Sequence, residues 1–415
     1  MNSVYVFVGL LYLVLLIITV VTSIYQFAFS LFGIKEGRTA VASPPVKRFA
    51  VIIPGHNEER VIGPLIESIK AQHYPMELID IHLIADNCTD HTADVGRKYG
   101  AIVHERFDPV HAGKGYAIEW MIGQLRTYGE AYDAIVMFDA DNLVDADFLS
   151  IMNDKLCRGH RVIQGYLGVK NPFDTWVSVS LALSYWYDNR MWQHARQNLN
   201  LPCALGGTGL CIDYNLLQEM GWGATGLTED LEFGVRCVER GVIPTWAHEA
   251  KVFDEKPTTF FASFRQRLRW QQGHFQCAHD HMLPLFIQGI KERNLSKFDT
   301  AVYLFQPMRA IIVLMMSVIL FVADYLLPAR IAHLMIYPLP EEILIVTGAV
   351  LFLQIPFTLL LERSNWRAYF GLVIMPLFLW TWGPVSLHAY FTRNNKKWYH
   401  TVHKRSLRLS QIKDS

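Results

Sequence analysis

Three long stretches of the 415-residue chain contain no charged side chain, and this feature constrains the fold more than any other. The uncharged stretches run from Val4 to Ile34, from Ile343 to Leu361 and from Ala368 to Phe391. Each is long enough to cross the roughly 30 Å of hydrocarbon in a bilayer as a helix. A fourth apolar stretch, from Tyr303 to Leu327, is interrupted near its ends by Arg309 and Asp324. The sequence therefore predicts a multi-pass membrane protein.

The first apolar stretch is predicted to be an uncleaved anchor rather than a signal peptide. No basic residue precedes it, the apolar run is too long, and Lys35 and Arg38 come before the only candidate cleavage site at residues 40–42. The same two charges predict that the C-terminal end of the anchor is cytoplasmic. Pro376 and Gly383-Pro384 interrupt the last apolar stretch, so both a spanning and a re-entrant segment remain open.

Charge and cysteine usage narrow the function. The chain has 38 basic and 38 acidic residues, which gives it no overall basic field, so nucleic acid is not expected as a partner. The six cysteines form no CxxC pair and all lie in the polar middle of the chain. This pattern predicts a reduced cytoplasmic domain without structural zinc.

Residues 46–258 alternate strand-like and helix-like stretches. The segments Phe49–Ile53, Ile79–Ile84 and Ala134–Phe138 are short apolar runs typical of buried strands. Their alternation with helical patterns predicts a mainly parallel, doubly wound α/β sheet. In such sheets ligands bind beyond the carboxyl ends of the strands.

Polar motifs follow each of these predicted strands. Gly55-His56-Asn57-Glu58 follows the first strand, Asp86-Asn87-Cys88-Thr89-Asp90 the second, and Asp139-Ala140-Asp141 the third. The Asp139 and Asp141 carboxylates suit Mg²⁺ or Mn²⁺ beside a diphosphate, although a polar turn or a helix cap is the alternative. Asp86 could accept a hydrogen bond from a base N–H, whereas Asp90 could simply cap the following helix.

Two further motifs come at predicted helix starts. In His111-Ala112-Gly113-Lys114-Gly115-Tyr116, glycines allow close backbone approach and a helix N-terminus attracts phosphate, although an ordinary surface turn is the alternative. In Thr228-Glu229-Asp230, the threonine could be an N-cap and one carboxylate could serve the helix dipole. Alternatively, one carboxylate is a general base toward a sugar hydroxyl. The residues alone do not choose between the two carboxylates.

A predicted helix around residues 264–273 has two different faces. At about 100° per residue, one face carries Phe261, Phe264, Leu268 and Phe275, the opposite face carries Gln266, Arg269, Trp270 and Gly273, and Arg265 and Arg267 lie at the borders. Arginine can hold a diphosphate, and tryptophan offers a flat surface to a sugar. An interfacial helix with snorkelling arginines is the alternative, but it leaves the Gln-Arg-Trp face unexplained.

Taken together, five motifs resemble those of the membrane-integrated family 2 glycosyltransferases, the group that contains cellulose, chitin-oligosaccharide, hyaluronan and poly-N-acetylglucosamine synthases. The motifs are Pro54–Glu59, Ala85–Asn87, Asp139–Asp141, Thr228–Asp230 and Gln266–Trp270. The resemblance covers residues 48–275 and the arrangement of apolar segments. It implies a Rossmann-like, GT-A-type cytoplasmic catalytic domain embedded in a helical transmembrane protein of a bacterial cell membrane.

The resemblance also implies roles for single residues in an inverting transfer from a UDP-sugar donor. It places Asp86 at the uracil, His56, Glu58 and Lys114 near the nucleotide, Asp139 and Asp141 at the diphosphate and Mg²⁺ or Mn²⁺, and Asp230 as the base. It places Gln266, Arg269 and Trp270 over the diphosphate and the acceptor sugar.

The acceptor is less constrained. The leading expectation is a growing β-linked polysaccharide that is passed across the membrane, and the alternative is transfer of one sugar to a lipid. Leu201–Gly209 departs from the Phe-Phe-Cys-Gly motif of several processive relatives, which leaves this choice open. The expected organisation is an anchor (1–34), a catalytic domain (46–258), interfacial helices bearing QxxRW (259–296), about three membrane segments (297–391) and a basic tail (392–415).

Overall fold

The structure, a computed structural model, describes residues 3–36, 43–129, 131–326, 341–395, 407 and 409–413. Its centre is one mixed sheet of eight strands with helices on both sides. The strands are β1 Phe49–Gly55, β2 Ile79–Asp86, β3 Ile102–Arg106, β4 Ala134–Met137, β5 Leu143–Val144, β6 Val162–Val169, β7 Leu210–Asp213 and β8 Thr245–Asp254. The predicted α/β fold class is confirmed.

Helices account for most of the remaining described residues. They are α1 Ser3–Ser30, α2 Ile62–Lys70, α3 Thr92–Lys98, α4 Lys114–Tyr128, α5 Phe148–Cys157, α6 Trp176–Tyr187, α7 Ala195–Asn198, α8 Tyr214–Met220, α9 Glu229–Glu239, α10 Phe260–Lys291, α11 Leu295–Leu304, α12 Gln306–Leu326, α13 Glu341–Leu361, α14 Ala368–Trp380, α15 Trp382–Thr392 and α16 Leu409–Lys413. A π-helix, Asp188–His194, joins α6 to α7, and 3₁₀ turns cover Leu31–Ile34 and Met76–Leu78.

The sheet is parallel in one half and mixed in the other. Its order is β3-β2-β1-β4-β7-β6-β8-β5, and the four strands from β3 to β4 are parallel. The prediction of a mainly parallel sheet is wrong at β7 and β5, because β7 runs antiparallel to both neighbours and β5 antiparallel to β8, whereas β6 and β8 are parallel. The reversal of β7 brings the loop before it to the same edge as the loop after β4.

The core forms on both faces of the sheet. Ala50 and Ile52 of β1 belong to a buried cluster with residues of α4, whereas Val51 and Ile53 belong to another with residues of α2. This alternation follows from the two-residue period of a strand. Each fully buried aliphatic side chain contributes about 1.5–3 kcal/mol of transfer free energy. The sheet is thereby fixed, and the loops at its carboxyl edge start from a rigid base.

Apolar helices flank this α/β domain at both ends of the chain. Val6–Ile34, Gln306–Ala323 and Ala368–Thr392 are long and apolar enough to cross a membrane, and Gly348–Leu361 is a shorter apolar helix. The last stretch consists of α14 and α15, which meet at Thr381. These helices indicate association with a membrane. Residues 327–340 and, in the predicted tail, residues 396–406, 408 and 414–415 lie outside the described residues, as does the side chain of Asp324.

Candidate active site

The first two polar motifs meet at the carboxyl edge of the parallel half-sheet. His56 Nδ1 lies 2.8 Å from the backbone oxygen of Asp86. The Glu58 amide donates to Thr92 Oγ1 at 2.8 Å, which ties the loop after β1 to the helix after β2. Neighbouring parallel strands end side by side, so motifs 30 residues apart in the chain come into contact.

Asp86 forms an ion pair with a residue outside its motif. Arg106 Nη1 donates to Asp86 Oδ1 at 2.6 Å, and Asn87 Nδ2 donates to the same oxygen at 3.0 Å. Both members of the ion pair are nearly fully buried. Within the described part of the chain these contacts use only Oδ1, so Oδ2 is available to a ligand. Arg106 lies directly opposite Asp86 in the β2–β3 register. A prediction of strand β3 from the sequence would therefore place the two residues together.

Lys114 connects three motifs. Its Nζ donates to Asp139 Oδ1 at 2.5 Å and to the Gly207 carbonyl at 2.6 Å, and it lies 3.7 Å from Glu229 Oε1. Burial lowers the pKa of Lys114, but the charges of Asp139 and Glu229 outweigh burial and raise that pKa to about 12. The ammonium group is therefore a fixed positive charge at the centre of the site.

Gly115, next to Lys114, explains why the loop needs a glycine. A Cβ at Gly115 would come within 2.5 Å of the Ala224 carbonyl oxygen. The start of α4 therefore packs against the chain's own backbone just before the Thr228-Glu229-Asp230 motif. The sequence predicts a close approach of the glycine backbone to a phosphate. In the structure, the close contact of Gly115 is with Ala224 of the chain itself.

The loop after β4 is held by the loop before β7. Asn142 Oδ1 accepts from the Asp139 amide at 3.0 Å and from the Thr208 hydroxyl. The Asp141 carboxylate is buried, and its Oδ2 accepts from the Glu255 amide at 3.1 Å. These hydrogen bonds fix the backbone of Asp139 and the carboxylate of Asp141, the two predicted metal ligands.

The residues at this edge fit a divalent cation shared with a diphosphate. Among the described residues, no group of three or more His, Cys, Asp or Glu side chains could hold a metal by itself. Asp139 and Asp141 nevertheless supply hard oxygen ligands, and one or two protein carboxylates plus phosphate oxygens satisfy Mg²⁺ or Mn²⁺. Burial, then the charges of Asp141 and Asp139, raises the pKa of Glu58 to about 9. Such carboxylate crowding favours a cation here.

The predicted base lies at the start of α9, beside the Lys114 centre. Asp230 Oδ2 and Lys114 Nζ lie 3.2 and 3.4 Å from where a Cβ would stand on Gly207. Burial and the neighbouring Glu229 raise the pKa of Asp230 above its ordinary value, although Lys114 opposes this. A carboxylate with a raised pKa is suited to accepting a proton from a sugar hydroxyl.

Helix α10, which carries the QxxRW motif, contacts Thr228 of the Thr228-Glu229-Asp230 motif through Gly273. A Cβ on Gly273 of α10 would lie 2.6 Å from Thr228 Cγ2 and 2.9 Å from Thr228 Cβ. Thr228 occupies the N-cap position of α9, but its side chain makes no capping hydrogen bond. Residues three, four and seven positions apart share a helix face, so Gln266 and Trp270 lie on the face that meets Thr228.

Gln266 offers an unsatisfied acceptor on this face. Its Oε1 is buried and has no hydrogen-bond partner within the described part of the chain. A buried amide oxygen without a partner costs about 1–3 kcal/mol. A ligand hydroxyl or amide would remove this cost.

The other side of α10 packs against the C-terminal apolar helices, which corrects the border position expected for Arg267. Phe264 and Phe275 contact the rings of His388 and Tyr390 of α15, so these two side chains pack on another helix. Arg267 is not a snorkelling border residue: it is fully buried and its Nη1 donates to Thr381 Oγ1 at 2.8 Å. Its guanidinium also lies over the rings of Phe378 and Trp382.

Comparison with solved structures supports this fold. The chain superposes on a mannosyltransferase from Pyrobaculum calidifontis, solved in complex with GDP-Man and Mn²⁺, with a TM-score of 0.60 and 15% identity. The alignment covers 93% of this chain and 99% of that structure. At this identity the likeness concerns the fold.

Curated relatives extend the comparison to sequence. A probable glycosyltransferase, YdaM, from Bacillus subtilis is 24% identical over 85% of this chain and 86% of its own length. A beta-monoglucosyldiacylglycerol synthase from Nostoc is 27% identical over 55% of this chain and 49% of its own length. An N-acetylglucosaminyltransferase from Rhizobium meliloti is 24% identical over 58% of this chain and 60% of its own length.

The family assignment rests on a longer match. The family model described as "Glycosyltransferase like family 2" matches residues 44–273, which is more than half of the chain and includes all five motifs. The chain therefore belongs to the family 2 glycosyltransferases, enzymes that transfer a sugar from a nucleotide-sugar donor.

Proposed function

We propose that this protein is an inverting, UDP-sugar-dependent transferase that extends a β-linked polysaccharide and passes it across the membrane. The observation that carries the proposal is the position of Lys114, which contacts Asp139 and Glu229 next to Asp230 while Thr228 abuts α10. The groups proposed to bind the leaving diphosphate and to activate the acceptor hydroxyl thus lie around one positive charge, the ammonium group of Lys114. A non-catalytic sugar-binding protein would need no such convergence.

The proposed donor site lies at the carboxyl edge of β1 and β2. Asp86 Oδ2 would accept a hydrogen bond from the uracil N–H, with its orientation fixed by Arg106 on the other oxygen. His56 and Glu58 would lie beside the nucleotide. The positive charge of Lys114 would stabilise the diphosphate as negative charge develops on it.

Asp139 and Asp141 would hold Mg²⁺ or Mn²⁺ together with the diphosphate. The cation would act as a Lewis acid for the departing phosphate oxygen. Asn142 Nδ2 and the Glu255 amide donate to the Asp141 carboxylate, and the Asp139 amide donates to Asn142 Oδ1, which keeps both residues in place. The chain's own contribution is to orient the donor before the acceptor arrives.

Asp230 is the proposed base. Its carboxylate would take the proton of an acceptor hydroxyl, and the hydroxyl oxygen would form the new bond to the anomeric carbon. The bond between that carbon and the diphosphate oxygen breaks at the same time, and UDP leaves with the electron pair. Attack from the face opposite the leaving group inverts the anomeric configuration.

The acceptor would lie against the Gln266–Trp270 face of α10. Trp270 supplies a flat apolar surface for a sugar ring, Arg269 a charge for the diphosphate, and Gln266 Oε1 the unpartnered acceptor for a sugar hydroxyl. The same helix packs on α15 in the apolar C-terminal region. A chain growing at this face would begin its path next to the membrane helices.

Transfer of a single sugar to a lipid is the alternative. The relative from Nostoc is named as a beta-monoglucosyldiacylglycerol synthase, and its match covers 55% of this chain. Product length separates the two acceptors, because only polymer synthesis gives a ladder of increasing mass.

The test uses the full-length protein in lipid nanodiscs with UDP-sugars, GDP-mannose as a competing donor, and Mg²⁺ or Mn²⁺. We expect UDP release and a polymeric product. A single glycolipid would support the alternative, and release from GDP-mannose alone would contradict the donor assignment. Asp230→Asn should abolish transfer while leaving donor binding intact. Asp213→Asn, a carboxylate outside the site that caps α8, is the matched control.

A further inference from the structure

A cavity of about 470 Å³ lies outside the active site, between the end of α1 and the C-terminal half of α13. Its apolar lining includes Phe27, Leu31, Ile34, Leu353, Phe357 and Leu360. Met191 of the π-helix also lines it, so the cavity touches the α/β domain as well as both apolar helices. Its volume is in the range of about 300–1,000 Å³ that is typical of small-molecule sites.

Two polar side chains in the lining, Ser30 and Gln354, are already hydrogen-bonded to each other. Ser30 Oγ donates to Gln354 Oε1 at 2.9 Å, and Tyr187 OH donates to the same oxygen at 3.2 Å. These contacts satisfy the amide oxygen without a ligand. The wall presented to an occupant is therefore chiefly hydrocarbon, and a polar sugar would gain little from entering.

The apolar helices that line the cavity indicate that lipid would surround it. Both belong to the apolar stretches of the chain, and Leu31, Leu353 and Leu360 are exposed at the protein surface. In a bilayer these leucines would face lipid tails. The occupant that reaches the cavity most directly is a lipid chain.

Three basic residues are close in sequence to residues that line the cavity. Lys35 directly follows Ile34, and Arg363 and Arg367 lie in the short loop between Leu360 and Tyr369, another lining residue; all three are exposed. Glu362 does not cancel their charge, because it is buried against Tyr166, His248 and Arg190.

Glu36 is the exposed acidic neighbour of Lys35, but the exposed set remains net positive. Trp366, 68% exposed in the same loop, is the kind of aromatic residue found at membrane interfaces. Basic pockets between membrane helices attract acidic phospholipid head groups. The apolar cavity and the basic loops together match the two ends of one such lipid.

We propose that this cavity binds one acyl chain of an acidic phospholipid whose phosphate lies at Lys35, Arg363 and Arg367. The proposal depends on the membrane placement of α1 and α13 and not on the sugar that is transferred. The bound chain would contact α1, α13 and Met191 at once. It would thereby join the anchor to the π-helix of the catalytic domain.

The test labels the full-length protein in nanodiscs with a phosphatidylglycerol that carries a photoreactive group on its acyl chain. We expect cross-links at residues 350–360, and their loss in Leu353→Trp, which fills the cavity. Val373→Trp, on the 85% exposed position of α14, is the matched control and should keep the cross-links. Thermal unfolding of both variants verifies that they fold.

The head group is tested separately by competition with phosphatidylcholine. Arg363→Gln and Arg367→Gln should each weaken the preference for phosphatidylglycerol about fivefold. Lys291→Gln, an exposed basic residue at the end of α10, should not change it. Equal labelling by the two lipids, or cross-links that persist in Leu353→Trp, would overturn the proposal.

Discussion

Adding one methyl group at Gly273 should separate the QxxRW helix from the catalytic motif. In Gly273→Ala the new Cβ would lie 2.6 Å from Thr228 Cγ2, and Thr228 Oγ1 is closer still. Carbon atoms pack at about 3.5–4.0 Å, so α10 and α9 must move apart by about 1 Å. A displacement of that size can lower kcat about 10²-fold, which corresponds to about 2.7 kcal/mol of barrier.

Stability should change much less than activity. Alanine gains about 1 kcal/mol over glycine inside a helix, and overpacking costs about 1–3 kcal/mol. The free energy of unfolding should therefore fall by no more than about 2 kcal/mol. The assays are kcat from UDP release in nanodiscs and the thermal unfolding midpoint. Gly123→Ala in α4 is the matched control, because a Cβ there meets nothing within 4 Å.

A double-mutant cycle identifies the cause. Thr228→Ala removes the two atoms nearest to the new methyl group and costs no capping hydrogen bond. If the steric argument is right, Gly273→Ala should cost much less kcat in the Thr228→Ala background than in the wild type. Wild-type kcat in Gly273→Ala, or strictly additive effects in the double variant, would refute the reasoning.

Four further results are expected. Because the pKa of Asp230 is raised, kcat should fall as pH drops through that raised value; Glu229→Gln removes a charge that raises it, so the acid limb of the kcat–pH profile should move to lower pH. Lys114→Met should lower kcat/KM about 10²–10³-fold through weaker diphosphate stabilisation, measured by steady-state UDP release. Chelation with EDTA should abolish turnover and added Mn²⁺ should restore it, with a higher Mn²⁺ requirement in Asp139→Asn. Arg267→Met should lower the unfolding free energy by about 1–3 kcal/mol by thermal denaturation, because it removes the hydrogen bond to Thr381 and the contacts of the guanidinium with the rings of Phe378 and Trp382.

Much of the site follows from local sequence. The strands β1, β2 and β4 are apolar runs, and parallel strands bring the motifs after them to one edge. The direction of β7 could not be found in this way, since Leu210–Asp213 is short and a strand's orientation depends on where the chain has travelled before it. Arg106 was missed for a related reason, because its link to Asp86 exists only in the β2–β3 register.

The helical wheel of α10 predicts the face that contacts Thr228 but not the surroundings of the other residues. A wheel gives angles, and it cannot show that partners cover the helix on several sides. The angle of Arg267 on the wheel predicts a border position, where a charged side chain could snorkel to water. It is buried because Thr381, Phe378 and Trp382 provide a hydrogen bond and two ring faces for the guanidinium.

The length of α10 has a practical consequence for anyone who wants a soluble enzyme. The family match ends at residue 273, in the interior of a helix that runs from Phe260 to Lys291. Truncation there would remove half of the helix, and truncation before the last apolar helices would leave Phe275 and Arg267 without their covering partners. The catalytic unit therefore cannot be excised at the end of the family match, and purification should retain the apolar C-terminal helices.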